Sequence, residues 1–192
     1  IVDFSRQHEV NYRPHIKTHK SIAIAKAQIK AGAIGITVAT VGEAEVMAAG
    51  GIDNILIAFL ITAEEKINRV KKLREKAEII VTLDSIAQGE LLAAHFTEAD
   101  PLPVWIKVNA GLNRVGVEPN EEVTELVEWL KDKPSLCLEG VFTHAGHAYG
   151  AQSTDELTAI AEKEAEVVLQ AASLCEAAGM KVENISVGAT PT

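Results

Sequence analysis

Short β-branched runs recur along this chain at intervals of about 25 residues, separated by amphipathic helical stretches with legible caps, and that rhythm demands a parallel sheet with helical crossovers. The runs are PHIKTH (14–19), GITVAT (35–40), NILIAF (54–59), EIIVTL (78–83), PVWIKVN (103–109), LEGVFTH (138–144) and NISVG (184–188). Between them, Ser21 opens a helix that Gly32 closes. Thr62 with Glu65, Ser85 with Gln88 and Ser153 with Glu156 fit the capping box, in which two side chains satisfy each other's free backbone N–H groups. Asn120 precedes Val123, Leu126, Val127 and Leu130, whose spacing places them on one helix face.

Two closures of such a sheet exist, an open doubly wound sheet or a barrel. A doubly wound dinucleotide fold calls for GxGxxG after its first strand, and the chain has none. A (β/α)8 barrel takes about 250 residues. The expected fold is therefore α/β, a TIM-type (β/α)8 barrel of about seven units, forming one domain over 1–192. The sequence begins at Ile1 and stops at SVGATPT, where a strand enters a loop, so it reads as part of a longer protein. Alone, it is expected to leave an open strand edge and to be poorly soluble and inactive.

With 47% hydrophobic residues the chain can bury a real core, while a net charge of -9 argues against nucleic acid or an anionic membrane as partner. No apolar run approaches the roughly 20 residues of a membrane helix. Cys137 and Cys175, without CxxC spacing, make a disulfide framework or zinc site unexpected and a reducing cytoplasm the default.

Chemistry in such barrels sits at the carboxyl ends of the strands. There the sequence places Lys17 and His19, Ala39 and Thr40, Lys107 and Asn109 followed by Gly111 and Arg114, then THAGHAYG with His144, His147 and Tyr149, and finally GATPT. If RPHIKTHK (13–20) is a strand, His15, Lys17 and His19 share one face. Lys17 is then either a surface lysine on an edge or a lysine in a partly dry pocket, its pKa lowered by burial and cationic neighbours, ready to form a Schiff base. His144 is a satisfied core histidine or part of a site. Arg114 is a loop residue or a fork for a planar anion. The small residues of GATPT form a plain turn or a phosphate loop. His144 and His147 lack an evident third ligand, so no metal site is expected within these residues. Lys107, inside a barrel, needs a neutralising partner that the sequence does not name.

RPHIKTHK, ITVATVGEAE, IKVNAGLNRVGV, GVFTHAGHAYG and SVGATPT, in this order, resemble the pyridoxal-phosphate (PLP) barrel domain of the alanine-racemase-like (fold type III) enzymes, in particular the D-threonine aldolase and D-serine dehydratase branch. The resemblance implies that Lys17 bonds the cofactor aldehyde and that Arg114 lies against its phenolic oxygen. It implies further that His144 packs at the ring, that Gly188, Ala189 and Thr190 cradle the phosphate, and that Tyr149 belongs to the pocket. Ala189 stands where the family usually has Ser, which removes one hydroxyl from that cradle. The implied activity is a PLP-dependent lyase acting on D-β-hydroxy amino acids, with D-threonine aldolase first and D-serine dehydratase second. A racemase or a non-catalytic PLP carrier are the remaining alternatives. A divalent metal with ligands in a C-terminal β-domain beyond this sequence, and a cytoplasmic homodimer, are implied as well.

Overall fold

The computed structural model describes all residues, Ile1–Thr192, and divides into two compact units, Ile1–Thr82 and Leu83–Thr192. The first contains α1 (Val2–Gln7), a 3-10 turn (Ile16–Thr18), α2 (Ile22–Ala31), β1 (Ile36–Val38), α3 (Val41–Ala49), β2 (Asn54–Ile57), α4 (Glu64–Leu73) and β3 (Glu78–Leu83), whose last residue passes into the second unit. Its three strands are parallel, with Ile36 opposite Ile55 and Ile55 opposite Ile79. Ile55, Leu56 and Ile57 of β2 and Ile79, Ile80 and Val81 of β3 are all buried, the continuous apolar run expected of parallel strands covered on both faces. At their amino ends, Arg13 donates to Asn54 Oδ1 (2.6 Å) and Asn54 Nδ2 donates to Glu78 Oε2 (2.8 Å).

The second unit contains α5 (Ile86–Ala93), β4 (Leu102–Lys107), α6 (Glu121–Lys131), β5 (Leu136–Phe142), a 3-10 turn (Gly146–Gly150), α7 (Thr154–Ala177) and β6 (Asn184–Ser186). Its strands are also parallel; Ile106 lies opposite Val141, and Val141 opposite Ile185. The β4–β5 register shifts at Val104/Trp105, beside Gly140. A Cβ on Gly140 would lie 2.8 Å from Asn184 O and 3.0 Å from the Trp105 ring, so only glycine lets the strands approach there. Val123, Leu126, Val127 and Leu130 of α6 are buried as their spacing requires.

The caps at Ser21, Ser85, Asn120 and Ser153 all form, each side chain accepting a backbone N–H of the first turn. Thr62 does not cap α4. The N-cap is the next residue, Ala63, which offers no side-chain cap, and Glu64 and Glu65 in the first turn face the positive end of the helix dipole instead.

The largest departure concerns 14–19, which is a 3-10 turn and not a strand. Only His15 makes a ladder contact, an isolated parallel bridge to Thr37. Pro14 has no N–H to offer, and His15 Nδ1 accepts the Lys17 N–H at 3.2 Å, so a side chain takes the donor that a strand would need. Six strands therefore form where seven runs were read.

Candidate active site

In the first unit the turn is anchored at its root. Ile16 is fully buried, and Thr37 N donates to Pro14 O at 2.8 Å. His15 Nδ1 accepts from Lys17 N and His19 Nδ1 from Ser21 N (3.0 Å), which puts each ring's proton on Nε2. The Nε2 of His19 is buried and has no partner. Lys20, with a left-handed backbone (φ 47°), turns the chain into α2 and pairs with Glu43 Oε1 at 3.0 Å. Burial would raise the Glu43 carboxyl, yet the Ala39 N–H, the Lys20 ammonium and the Thr40 N–H together bring it below its ordinary value. Lys17 itself is exposed, not set in a partly dry pocket, and its amine has no intramolecular partner.

In the second unit the expected residues follow the carboxyl ends of β4, β5 and β6. Arg114 rides on a loop built by Asn109, whose Oδ1 accepts from Gly111 N and Asn113 N (3.1 Å each) while its Nδ2 donates to Glu118 Oε1. Asp84 Oδ2 accepts Gly116 N at 3.0 Å and closes the loop. The Arg114 guanidinium is exposed and unpartnered. The amine of buried Lys107 lies 4.0 Å from the centroid of the Phe142 ring, a cation–π contact.

His144 and the final loop are brought together, with His144 Nδ1 3.4 Å from Gly188 O. Gly188 has φ 133°, and a Cβ there would meet nothing within 4 Å, so the backbone borders open space in a conformation that favours glycine. The expected cradle is only partly available. Gly188 N donates to Glu164 and Ala189 N to Thr192 Oγ1, whereas the N–H and hydroxyl of exposed Thr190 make no internal hydrogen bond. Tyr149 is not drawn in; it is 64% exposed and has no polar partner.

Glu164, Asp84 and Asn109 carry this scaffold; the motifs placed Asn109 at the end of its strand without a role and did not point to Glu164 or Asp84. Glu164 was nevertheless visible on a helical wheel, where it shares the stripe of Val168, Ala171 and Cys175, all buried.

The sequence matches the profile of the alanine racemase N-terminal domain over residues 3–192. The chain belongs to that family. Among individual relatives, the D-threo-3-hydroxyaspartate dehydratase of Delftia sp. strain HT23 is 37% identical over 95% of this chain and 49% of its own length. The solved structure of a D-threo-3-hydroxyaspartate dehydratase from Delftia sp. HT23, 36% identical, superposes with a TM-score of 0.92 over 99% of this chain and 51% of that one. The D-threonine aldolase structure from Filomicrobium marinum, 29% identical, gives 0.90 over 97% of this chain and 51% of that one. The D-serine dehydratase of Dictyostelium discoideum is 28% identical over 95% of this chain and 49% of its own length. The α/β barrel class read from the sequence stands, and this member of the alanine racemase N-terminal family spans about half the length of the relatives it matches. No helix is long and apolar enough to cross a membrane.

The residues present fit the cofactor of this family. An exposed lysine amine without a partner suits an aldehyde. A free guanidinium, the free donors of Thr190 and a glycine bordering open space suit a phosphorylated, anionic ring.

Proposed function

We propose that this chain is the cofactor-binding part of a PLP-dependent lyase acting on D-β-hydroxy amino acids. The observation that carries the reading is Lys17, an unpartnered amine on a rigidly rooted turn in a chain that matches the family over residues 3–192. When bound, PLP supplies an aldehyde and an electron-withdrawing pyridine ring. Lys17 Nζ is the nucleophile toward that aldehyde and this chain's base for a substrate Cα proton. Arg114 holds an anionic ring oxygen, and the Thr190 N–H and hydroxyl bind phosphate oxygens. His144, tethered to Gly188 O, packs at the ring; Ala189 adds no hydroxyl, and Tyr149 has the weakest claim to the pocket.

Two reactions use this apparatus. Retro-aldol cleavage, as in a D-threonine aldolase, needs a base at the β-hydroxyl proton and gives glycine and an aldehyde. Dehydration needs the Cα base and loss of the β-hydroxyl, giving a keto acid and ammonia. The 37% identity to one dehydratase, against 27–29% for the aldolases and 28% for the D-serine dehydratases, supports dehydration as the second reading. A divalent metal, with ligands outside these residues, would act as Lewis acid on the hydroxyl.

The test is borohydride reduction of the full-length protein followed by peptide mass mapping. A pyridoxyl group on the Lys17 peptide is expected, and its absence there, or its presence on another lysine, refutes the assignment. Incubation with D-threonine and with D-threo-3-hydroxyaspartate then separates the reactions by whether glycine or a keto acid accumulates.

A further inference from the structure

Glu164 is the one carboxylate set deep in the second unit; it lies midway along α7, 2% exposed. All of its contacts are donors to it. Oε1 accepts the N–H of Ala145 (2.9 Å) and of Gly188 (3.2 Å), and Oε2 accepts the hydroxyl of Thr192 (3.1 Å). That hydroxyl in turn accepts Ala189 N at 3.0 Å. An ionised carboxylate offers only acceptors, so it matches this set of donors without remainder.

The contacts form a ring. Ala145 follows β5 directly after His144, Gly188 follows β6, and His144 Nδ1 reaches Gly188 O. One side chain therefore fixes two loops from different strands at once, and through Thr192 it also fixes the residue before Thr190.

We propose that Glu164 is a positioning residue for the phosphate end of the site: it touches no ligand, but it holds the 188–190 loop so that Thr190 presents its donors, with His144 in register beside it. The inference rests on the PLP reading above. Glutamine at this position cannot reproduce the network. Its single carbonyl oxygen can take the two N–H groups, but its NH2 then faces the Thr192 hydroxyl, which must turn its proton toward Ala189 O, 3.4 Å away. The charge-assisted bond that holds the loop at its Thr192 end is thus exchanged for a weaker neutral one of opposite direction, while the core side keeps both N–H bonds.

The experiment titrates the full-length apoprotein with PLP and, separately, with pyridoxal, which lacks the phosphate, following absorbance or quenching of protein fluorescence. E164Q is expected to weaken PLP binding about tenfold and to leave pyridoxal binding unchanged. Equal weakening of both ligands shows a merely structural role and overturns the proposal; so does no change in either. Should E164Q fail to fold, T192V, which removes an exposed hydroxyl from the same network, carries the same expectation of selective PLP loss. Wild-type protein that binds neither ligand would overturn the PLP reading itself and this inference with it, an outcome distinct from a wild type that binds both alongside an indifferent E164Q.

Discussion

Replacing Gly89 with alanine should destabilise the protein, against the ordinary rule for helices. Glycine inside a helix costs about 0.5–1 kcal/mol relative to alanine, so helix propensity alone makes G89A stabilising. Gly89 lies buried in α5, however, with the Trp129 ring of α6 laid against it, and a Cβ would fall 2.5 Å from Cζ3. The ring is not free to step back. Its Nε1 donates to Glu90 Oε1 at 2.8 Å, and Lys133, itself 2.9 Å from Glu90, lies over its face at 5.1 Å. Overpacking of this kind costs about 1–3 kcal/mol. Subtracting the propensity gain leaves a loss of about 1 kcal/mol at mid-range and about 2.5 kcal/mol at most, or a mid-range fall in Tm of about 2–4 °C for a chain of this size. Thermal unfolding of the full-length protein measures it, and the emission of Trp129 should shift while that of buried Trp105 stays constant. The decisive comparison is a double-mutant cycle: with Trp129→Ala making room, G89A should become stabilising. A G89A protein at or above the wild-type Tm, or one equally destabilised in both backgrounds, would refute the reasoning.

Three further outcomes are expected. Arg114→Ala, which breaks no intramolecular bond, should leave the apoprotein's Tm unchanged to within about 0.5 kcal/mol of stability and still weaken PLP binding; a lower apoprotein Tm would contradict it. Lys17→Ala should abolish the borohydride-trapped adduct while leaving the unfolding transition in place, as read by mass spectrometry and circular dichroism. Burial pushes the Cys175 thiol up to about 11 from its ordinary 9.0. The unfolded chain thus releases this proton at lower pH than the folded one, so the stability it contributes is complete below pH 9 and declines as pH rises toward 11. The urea midpoint should fall more steeply between pH 8 and 10.5 in wild type than in Cys175→Ala, and parallel slopes would exclude the effect.

How legible the molecule was in its sequence depended on whether a signal was local. The stripe of α6 and the Ser21, Ser85 and Ser153 caps were readable because spacing of a few residues decides them. PHIKTH misled because two histidine side chains compete for backbone N–H groups, which no alternation of residue types reveals. His144 and Gly188 were readable as a site through their motifs and do meet, while Tyr149, read from the same segment, faces solvent. Glu164 was legible only through its place on the buried stripe of α7, which sets it apart from exposed Glu156, Glu162 and Glu166; its partners lie 19 to 28 residues away, beyond any local signal.

The turn that carries Lys17 also sets what it costs to capture a ligand there. Ile16 is locked in the core one residue before the lysine, and Lys20 is held to Glu43 three residues after it. A molecule that bonds the amine therefore has no loop to order. It restricts only the rotors of one four-methylene side chain, an entropic charge of about 1.5–2 kcal/mol, where recruiting a free segment of the same length would add about 1–2 kcal/mol for every backbone residue fixed.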